Sequence, residues 1–364
     1  MTARAATLDR HQNASRVTIS DVAAALDVTK STVSRALNGY PDISPATQMR
    51  VKRMAEQMNY QPLSQAQAIK TGLNRSLGFI LQLADHDAMR PFLTEFLAGM
   101  SAGASVENFT LTVASADTDA DRTKAFRDLM RDGKADGFIL PRALVDDPRV
   151  ALLREANVPF VLYGRQSDPT GCAWFDVRGE DAMRDAVLHL AGLGHRRIGF
   201  INGGMQYAYA TLRAEGFQTG MRQAGLSINT TLMREGAVTL EDGVEAGAAL
   251  LDAPNPPSAI ICAIDHAALG VYRAAEARGL RIGRDLSVTG YDGTRLGAQA
   301  QPPLTTYSVD NREAGQRLAA LLIRRIRGDA PEDLRETVPA TFTLRGSTGP
   351  AAPNNLSSSQ GRKL

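Results

Sequence analysis

Apolar residues follow two different rhythms along the chain, and the rhythm changes near Ser76. Before that point the spacing is helical. Ile19, Val22, Ala23 and Leu26 recur three and four apart, which places them on one face of a helix. Asp21 falls in its first turn, where the helix dipole favours an acid. Asp27 and Val28 break the run, and Thr29 suits the N-cap of a second helix from Lys30 to Asn38 with Val33, Ala36 and Leu37 turned inward. The outward side chains of that helix are Lys30, Ser31, Thr32, Ser34 and Arg35. A plain surface helix would carry Glu/Lys pairs, whereas hydroxyls and a cation near a helix N-terminus suit base edges and phosphates in a major groove. The pattern predicts a helix-turn-helix DNA reader, with a bland helical hairpin as the alternative.

Asn38 to Asp42 reads as a turn, and Ser44 followed by Pro45 opens a third helix whose buried stripe is Val51, Met54, Ala55 and Met58. LSQAQAIKT, Leu63 to Thr71, has helical composition but is too short to be stable alone. From Leu77 the rhythm becomes short apolar strands alternating with helical stretches. Strands are expected at Leu77 to Leu83, Phe109 to Ser115, Gly137 to Pro141, Pro159 to Gly164, Arg197 to Gly203, Ser258 to Ile264 and Ser287 to Asp292. Helical runs between them include Asp181 to Leu193, Leu212 to Ala224, Gly243 to Leu251 and Ala267 to Arg278. Such alternation implies parallel sheets covered by helices.

Charge sharpens the division. Up to Ser76 ten Lys and Arg face five Asp and Glu, in a chain of 364 residues whose formal net charge is only +2. A basic head on a mildly acidic body points to a polyanionic partner at one end. The two cysteines, Cys172 and Cys262, stand far apart without metal-ligand neighbours, which fits small buried residues in a reducing compartment. No apolar run reaches membrane-spanning length and no signal-peptide core opens the chain, so a cytoplasmic protein without a membrane partner is expected.

The segment VTISDVAAALDVTKSTVSRALNGYPDISPATQMRVKRMAEQMNYQP closely resembles the DNA-binding head of the LacI/GalR family of bacterial transcription regulators, with D-V-A, S-T-V-S-R-x-L-N, I-S-x-x-T and N-Y-x-P in order. The likeness extends through L-G-H-R-R-I at Leu193 to Ile198, R-x-x-G-F at Arg213 to Phe217, S-V-x-G-Y-D at Ser287 to Asp292 and P-P-L-T-T at Pro302 to Thr306. The resemblance implies an all-α helix-turn-helix head joined to an α/β body of the periplasmic-binding-protein kind, two doubly wound parallel-sheet subdomains around a cleft. The implied organisation is a disordered tail at 1–16, the head at 17–62, a hinge helix and linker at 63–75, the effector-binding and dimerisation body at 76–348, and a polar tail at 349–364. Within the body, one subdomain would take about 76–176 and 310–338 and the other 177–308 and 339–348, with crossings near Asp176, Val309 and Pro339. Leucine heptads for a tetramerising coiled coil are missing from the tail.

By the same resemblance the DNA contacts fall on Thr18, Thr29, Lys30, Ser31, Thr32, Ser34, Arg35, Asn38 and Tyr60, with Ala66, Gln67 and Ile69 in the hinge. Ile69 takes the position of an apolar wedge that kinks the operator through its minor groove, where relatives usually carry Leu. A plain linker with Ile69 packed on the body is the alternative.

Ligands of open α/β sheets bind beyond the carboxyl ends of the strands. That rule nominates Asp85, Phe92, Arg142, Tyr163, Arg165, Asp265 and Asp292; the family motifs add Arg213 and Asp176, and Trp174 is the only Trp. Arg and Asp around an aromatic platform would make a carbohydrate site. Each has a structural alternative: a turn cap for Asp292, a salt bridge for Arg213, the core for Trp174. Many sugar-responsive relatives carry Asn-Asp where this chain has Ile264 and Asp265, which weakens transfer of any one sugar preference. The neighbourhoods DPRV (Asp147 to Val150), YGR (Tyr163 to Arg165) and WFD (Trp174 to Asp176) are similar to those of glucoside-responsive members. Two hypotheses follow: a homodimeric, sugar-released repressor on a palindromic operator, or a small-molecule-binding protein or carbohydrate enzyme with a vestigial head. Since no nucleophile-base pair, metal-ligand cluster or Gly-rich phosphate loop stands in the sequence, neither catalysis, metal nor cofactor is expected.

Overall fold

The computed structural model describes residues 17–60, 72–82 and 90–351, with the backbone alone at 90–92. The chain forms two compact units, Met1–Asn74 and Arg75–Leu364.

The described part of the first unit is three helices, α1 (Ile19–Leu26), α2 (Lys30–Leu37) and α3 (Pro45–Gln57). At the start of α1 the Asp21 carboxylate accepts from the Thr18 amide (2.7 Å) and hydroxyl (2.8 Å). The turn between α1 and α2 places Asp27 at φ 52°, a left-handed cap that lets the Val28 amide bond back to Ala23 O at 3.0 Å. Thr29 Oγ1 accepts from the Thr32 amide at 3.1 Å, and Ser44 Oγ from the Thr47 amide at 3.2 Å. The core these helices share is Val22, Ala23, Val33, Ala36 and Val51, with Ile19, Leu26, Met54 and Met58 packed against it.

The body begins with β1 (Ser76–Gln82), α4 (Arg90–Val106), β2 (Thr110–Ala116), α5 (Asp119–Arg131), β3 (Gly137–Leu140), α6 (Pro148–Glu155), β4 (Phe160–Tyr163) and β5 (Ala173–Val177). It continues with α7 (Gly179–Gly192), β6 (Ile198–Ile201), α8 (Ala208–Gln223), β7 (Met233–Arg234), α9 (Leu240–Leu251), β8 (Ala259–Cys262) and α10 (Asp265–Glu276). Last come β9 (Ser287–Asp292), α11 (Arg295–Gln299), β10 (Thr305–Ser308), α12 (Asn311–Ile326), β11 (Arg335–Val338) and β12 (Thr341–Thr343). Two six-stranded sheets result, ordered β11-β5-β4-β3-β1-β2 and β12-β10-β9-β8-β6-β7. Every pairing is parallel except β10 with β12, an antiparallel edge on the second sheet. The central strands β3, β6 and β8 are buried at every position, as parallel strands covered on both faces must be.

The chain passes from the first sheet to the second after β5, returns between β10 and α12, and crosses again between β11 and β12. Three connections therefore join the halves. Helix pairs lock each half at glycines: a Cβ on Gly99 would collide with the Arg312 carbonyl between α4 and α12, and one on Gly216 with the Glu180 carbonyl between α8 and α7. The second contact sets the first turn of α7 against the middle of α8, three residues beyond Arg213.

Candidate functional sites: the recognition helix and the interlobe cleft

On α2, Lys30, Ser31 and Arg35 are exposed, as are Thr18, Thr29 and Asn38, while Thr32 and Ser34 are half-buried. The Thr29 and Thr32 hydroxyls lie 2.9 Å apart, and Asn38 Nδ2 donates to Ser34 O at 2.6 Å. Arg35 is not free in solution: its Nη2 lies 2.5 Å from Asp42 Oδ2 and its guanidinium 5.0 Å from the Tyr40 ring centre. Both partners are themselves exposed, so the pair holds the arginine only weakly and leaves it available to an incoming acceptor. Tyr60 is half-buried against the head's core. Ala66, Gln67 and Ile69 lie outside the described residues.

In the body, the carboxyl ends of both sheets face a cleft of about 880 Å³. Its centre is Arg213 on α8. The guanidinium lies 4.5 Å from the Tyr209 ring centre and 3.7 Å from that of Tyr291, and Nη1 donates to Ala263 O at 2.6 Å. Gly179 on α7 leaves the space over which the Arg213 side chain passes, since a Cβ there would sit 3.0 Å from Nε. Arg213 Nε is buried without an acceptor from the protein.

Beside it, Asp292 ends β9 at φ 121°, a conformation that side-chain-bearing residues rarely adopt and that tends to mark functional sites. Burial pushes its carboxyl up to about 7 against the Arg213 charge, and the charge of Asp265 pushes the same way. Across the cleft, Arg165 Nε meets Asp176 Oδ2 at 2.5 Å and Nη2 meets Glu180 Oε1 at 2.6 Å. Since Asp176 is on β5 and Glu180 on α7, this arginine ties the halves beside the first crossing. Burial holds the Asp176 carboxyl above its ordinary range despite the hydrogen bond from Arg165. At the rim, Arg312 Nε lies 2.9 Å from Glu95 Oε2.

Arg142, Tyr163, Arg165, Asp176, Arg213 and Asp292 thus converge on one cavity. Two expected site residues do not. Asp265 is fully buried behind the wall, where Oδ1 accepts from the Thr306 hydroxyl and Oδ2 from the Thr294 amide, each at 2.7 Å. It sits in the first turn of α10 and holds the β9–α11 turn that presents Asp292, so it shapes the cleft without lining it. Trp174 stands two residues, roughly 7 Å, upstream of Asp176 along β5. It packs against the core cluster that includes Phe138, Phe160 and Leu162, with Arg335 4.5 Å from its ring centre. Asp85 and the Phe92 side chain lie outside the described residues.

Tyr209 and Tyr291 were not nominated by the strand-end rule. Tyr209 is one helical turn before Arg213 and so shares its face, a spacing that could have found it; Tyr291 is the neighbour of Asp292. The arrangement offers guanidinium forks, carboxylates and aromatic faces, which suits neutral, hydroxyl-rich ligands. Among the described residues no group of three or more His, Cys, Asp and Glu could hold a metal ion, and no helix is long and apolar enough to cross a membrane.

Comparison with known proteins agrees with the two-part architecture of a helical head and an α/β body. The profile of bacterial regulatory proteins of the lacI family matches residues 18–63, and that of the periplasmic binding protein-like domain matches 187–348. The HTH-type transcriptional regulator AglR of Rhizobium meliloti is 33% identical over 92% of this chain and 95% of its own. The regulator CelR of Thermobifida fusca is 30% identical over 91% of this chain and 98% of its own. Among solved structures, a CelR–cellobiose complex is similar with a TM-score of 0.70 and 28% identity, covering 91% of this chain and all 100% of that one. The lac repressor dimer bound to operator and the anti-inducer ONPF gives a TM-score of 0.75 at 27% identity, covering 92% of this chain and 99% of that one. Relatives of this kind are transcription regulators, not enzymes, and with a head and a two-sheet body both in place the chain belongs to the LacI family of bacterial transcriptional regulators.

Proposed function

We propose that the protein is a homodimeric repressor that reads a palindromic operator and is released from it by a sugar effector, with glucosides as the leading class. The observation that carries this reading is the cleft, where Arg213 between Tyr209 and Tyr291, Asp292 and the Arg165–Asp176 pair are supplied by both halves. A ligand held by both walls binds one relative placement of the halves better than another, which is what a switch requires. A cavity of about 880 Å³ accommodates a disaccharide, and CelR, whose structure contains cellobiose, shares this architecture. Among the described residues, no observation favours an enzyme.

In the head, Lys30, Ser31, Thr32, Ser34 and Arg35 would enter the major groove of each half-site while Thr18, Thr29, Asn38 and Tyr60 support contacts to the backbone. The hinge at 63–75, with Ala66, Gln67 and Ile69, would fold on DNA and carry the signal from the cleft. If the effector prefers the state in which the hinge is unfolded, linkage requires DNA to weaken effector binding by the same factor.

The test is fluorescence anisotropy of the full chain on a palindromic duplex from its own upstream region, titrated with a panel of mono- and disaccharides. Specific binding that a glucoside reverses is the expected outcome. Equal affinity for random duplex at physiological salt sinks the operator reading; release by a phosphosugar or purine, with every neutral sugar inert, sinks the carbohydrate reading.

A further inference from the structure

The D-P-R motif that opens α6 has a geometric role that helix capping does not explain. Asp147 is the N-cap, its Oδ1 accepting from the Arg149 amide at 3.0 Å. Capping needs only that aspartate. Arg149 is buried as well, and it grips the same carboxylate twice, Nε to Oδ1 at 2.8 Å and Nη2 to Oδ2 at 2.6 Å. Its remaining donors go to two carbonyls, Nη1 to Pro141 O and Nη2 to Arg142 O, each at 3.0 Å. Those carbonyls belong to the peptide planes on either side of the Arg142 Cα. Pinning both planes fixes φ and ψ of Arg142 and with them the direction of its side chain.

Arg142 needs such pinning, because it stands at φ 49°, where L side chains are seldom found. So placed, its guanidinium lines the cleft 5.5 Å from the Tyr207 ring centre, and its charge acts on Asp292 and Tyr209. The same loop continues across to the other half. Val145 N–H donates to Gln206 O at 3.0 Å, Ala208 N–H donates to Ala143 O at 2.9 Å, and Leu144 bridges Tyr207 in antiparallel register. The Leu144 amide in turn donates to Asp147 Oδ2 at 3.3 Å, so the motif holds the loop at both ends.

We propose that Arg149, locked by Asp147, is a positioning residue that aims the Arg142 guanidinium at a ligand oxygen in the cleft and seats the 141–147 loop on Gln206–Ala208. The proposal rests on reading the cleft as an effector site. A buried ion pair is a costly way to stabilise a fold, and an apolar pair would often do as well. Lysine cannot replace this arginine, because a single ammonium cannot span one carboxylate and two carbonyls at once.

The experiment compares the full-length protein with R142A, R149K, R149M and the double variant R142A/R149M. Calorimetry with cellobiose and maltose is run beside hydrogen exchange at the Leu144, Val145 and Ala208 amides. Affinity is expected to fall by about tenfold in R142A and in R149M, with the double variant no weaker than R142A, because the two act through one contact. R149K should not rescue binding, and exchange at the three amides should quicken in R149K and R149M while β6 and β8 stay protected. Additive losses in the double variant, or unaltered exchange in the loop, overturn the proposal. If neither sugar binds the unmodified protein, the carbohydrate reading fails separately, and the loop exchange of R149K alone decides the positioning role.

Discussion

Two arginines, Arg35 of the head and Arg213 of the body, face their partners under opposite conditions. Arg35 pairs with Asp42 at 2.5 Å and leans on Tyr40, with about half of each charged side chain still in water. Such a pair is worth roughly 0–1 kcal/mol and is screened by salt. Arg213 is buried, stacked between two tyrosines and fixed to a carbonyl, with a carboxyl of raised pKa beside it. The difference suits the two tasks proposed for these residues. A side chain that must exchange an internal partner for a nucleic acid benefits from a weak hold, whereas one that must recognise a small ligand benefits from having its desolvation and ordering completed during folding.

The largest expected effect breaks the buried member. R213M leaves the Ala263 carbonyl without its donor and removes the cation whose charge acts most strongly on Asp292, and truncating one partner of a desolvated charge cluster costs about 2–5 kcal/mol. We expect disaccharide affinity to fall by roughly 100-fold or more and the melting temperature of the body to drop. Operator affinity should persist without sugar-dependent release. Calorimetry, thermal denaturation and anisotropy read these separately, and an R213M protein that still responds to sugar would remove Arg213 from the centre of the site.

Next in size is a contrast in pH dependence. Burial raises Asp292 from the ordinary 3.8 to about 7, so between those values the folded protein holds a proton that the unfolded chain has released. This group therefore adds most stability at low pH, and its contribution declines as pH rises through about 7. In the head the sign reverses. Asp21 is held below 3.8 by the backbone and hydroxyl hydrogen bonds of Thr18, so its contribution is present above that value and lost on acidification. D292N should flatten the decline of body stability between about pH 4 and 7, the window set by these values, while D21N should alter only the acid side of the head's transition. Identical profiles for D292N and unmodified protein would show that Asp292 ionises normally in the folded state.

These contrasts also explain what was legible in the sequence. The head is built from local rules, and Thr29, Asp21 and the Val22–Ala23–Val33–Ala36 stripe do in the structure what their spacing announced. Apolar runs marked β1, β3, β6 and β8 because both sheet faces are covered. β10, with the sequence Thr-Thr-Tyr-Ser, escaped notice since its polarity is satisfied by distant groups, Thr306 by Asp265 and Thr305 by the Arg345 amide. The strand-end rule located the cleft but carried no depth. It could not tell Asp292, on the wall, from Asp265, behind it, nor see that Trp174 stops two residues short. The Arg165 bridge to Glu180 joins strand and helix across a chain crossing, which no local pattern encodes.

The smallest effect tests the exposed member of the comparison. D42N removes the carboxylate from Arg35 without touching the head's buried core, so the melting temperature should hardly move. The released guanidinium no longer has to leave a partner before it meets a phosphate or a guanine edge. Binding to operator and to random duplex should both tighten, by a few tenths to about 1 kcal/mol. Removing one negative charge near the phosphates should also shift the slope of log K against log salt in the direction of one further counterion released. Sugar affinity should stay constant, because Asp42 belongs to the head unit. Weaker operator binding in D42N would mean that Asp42 aims Arg35 and does not merely occupy it, and the head would then use the same logic of buttressed arginines as the cleft.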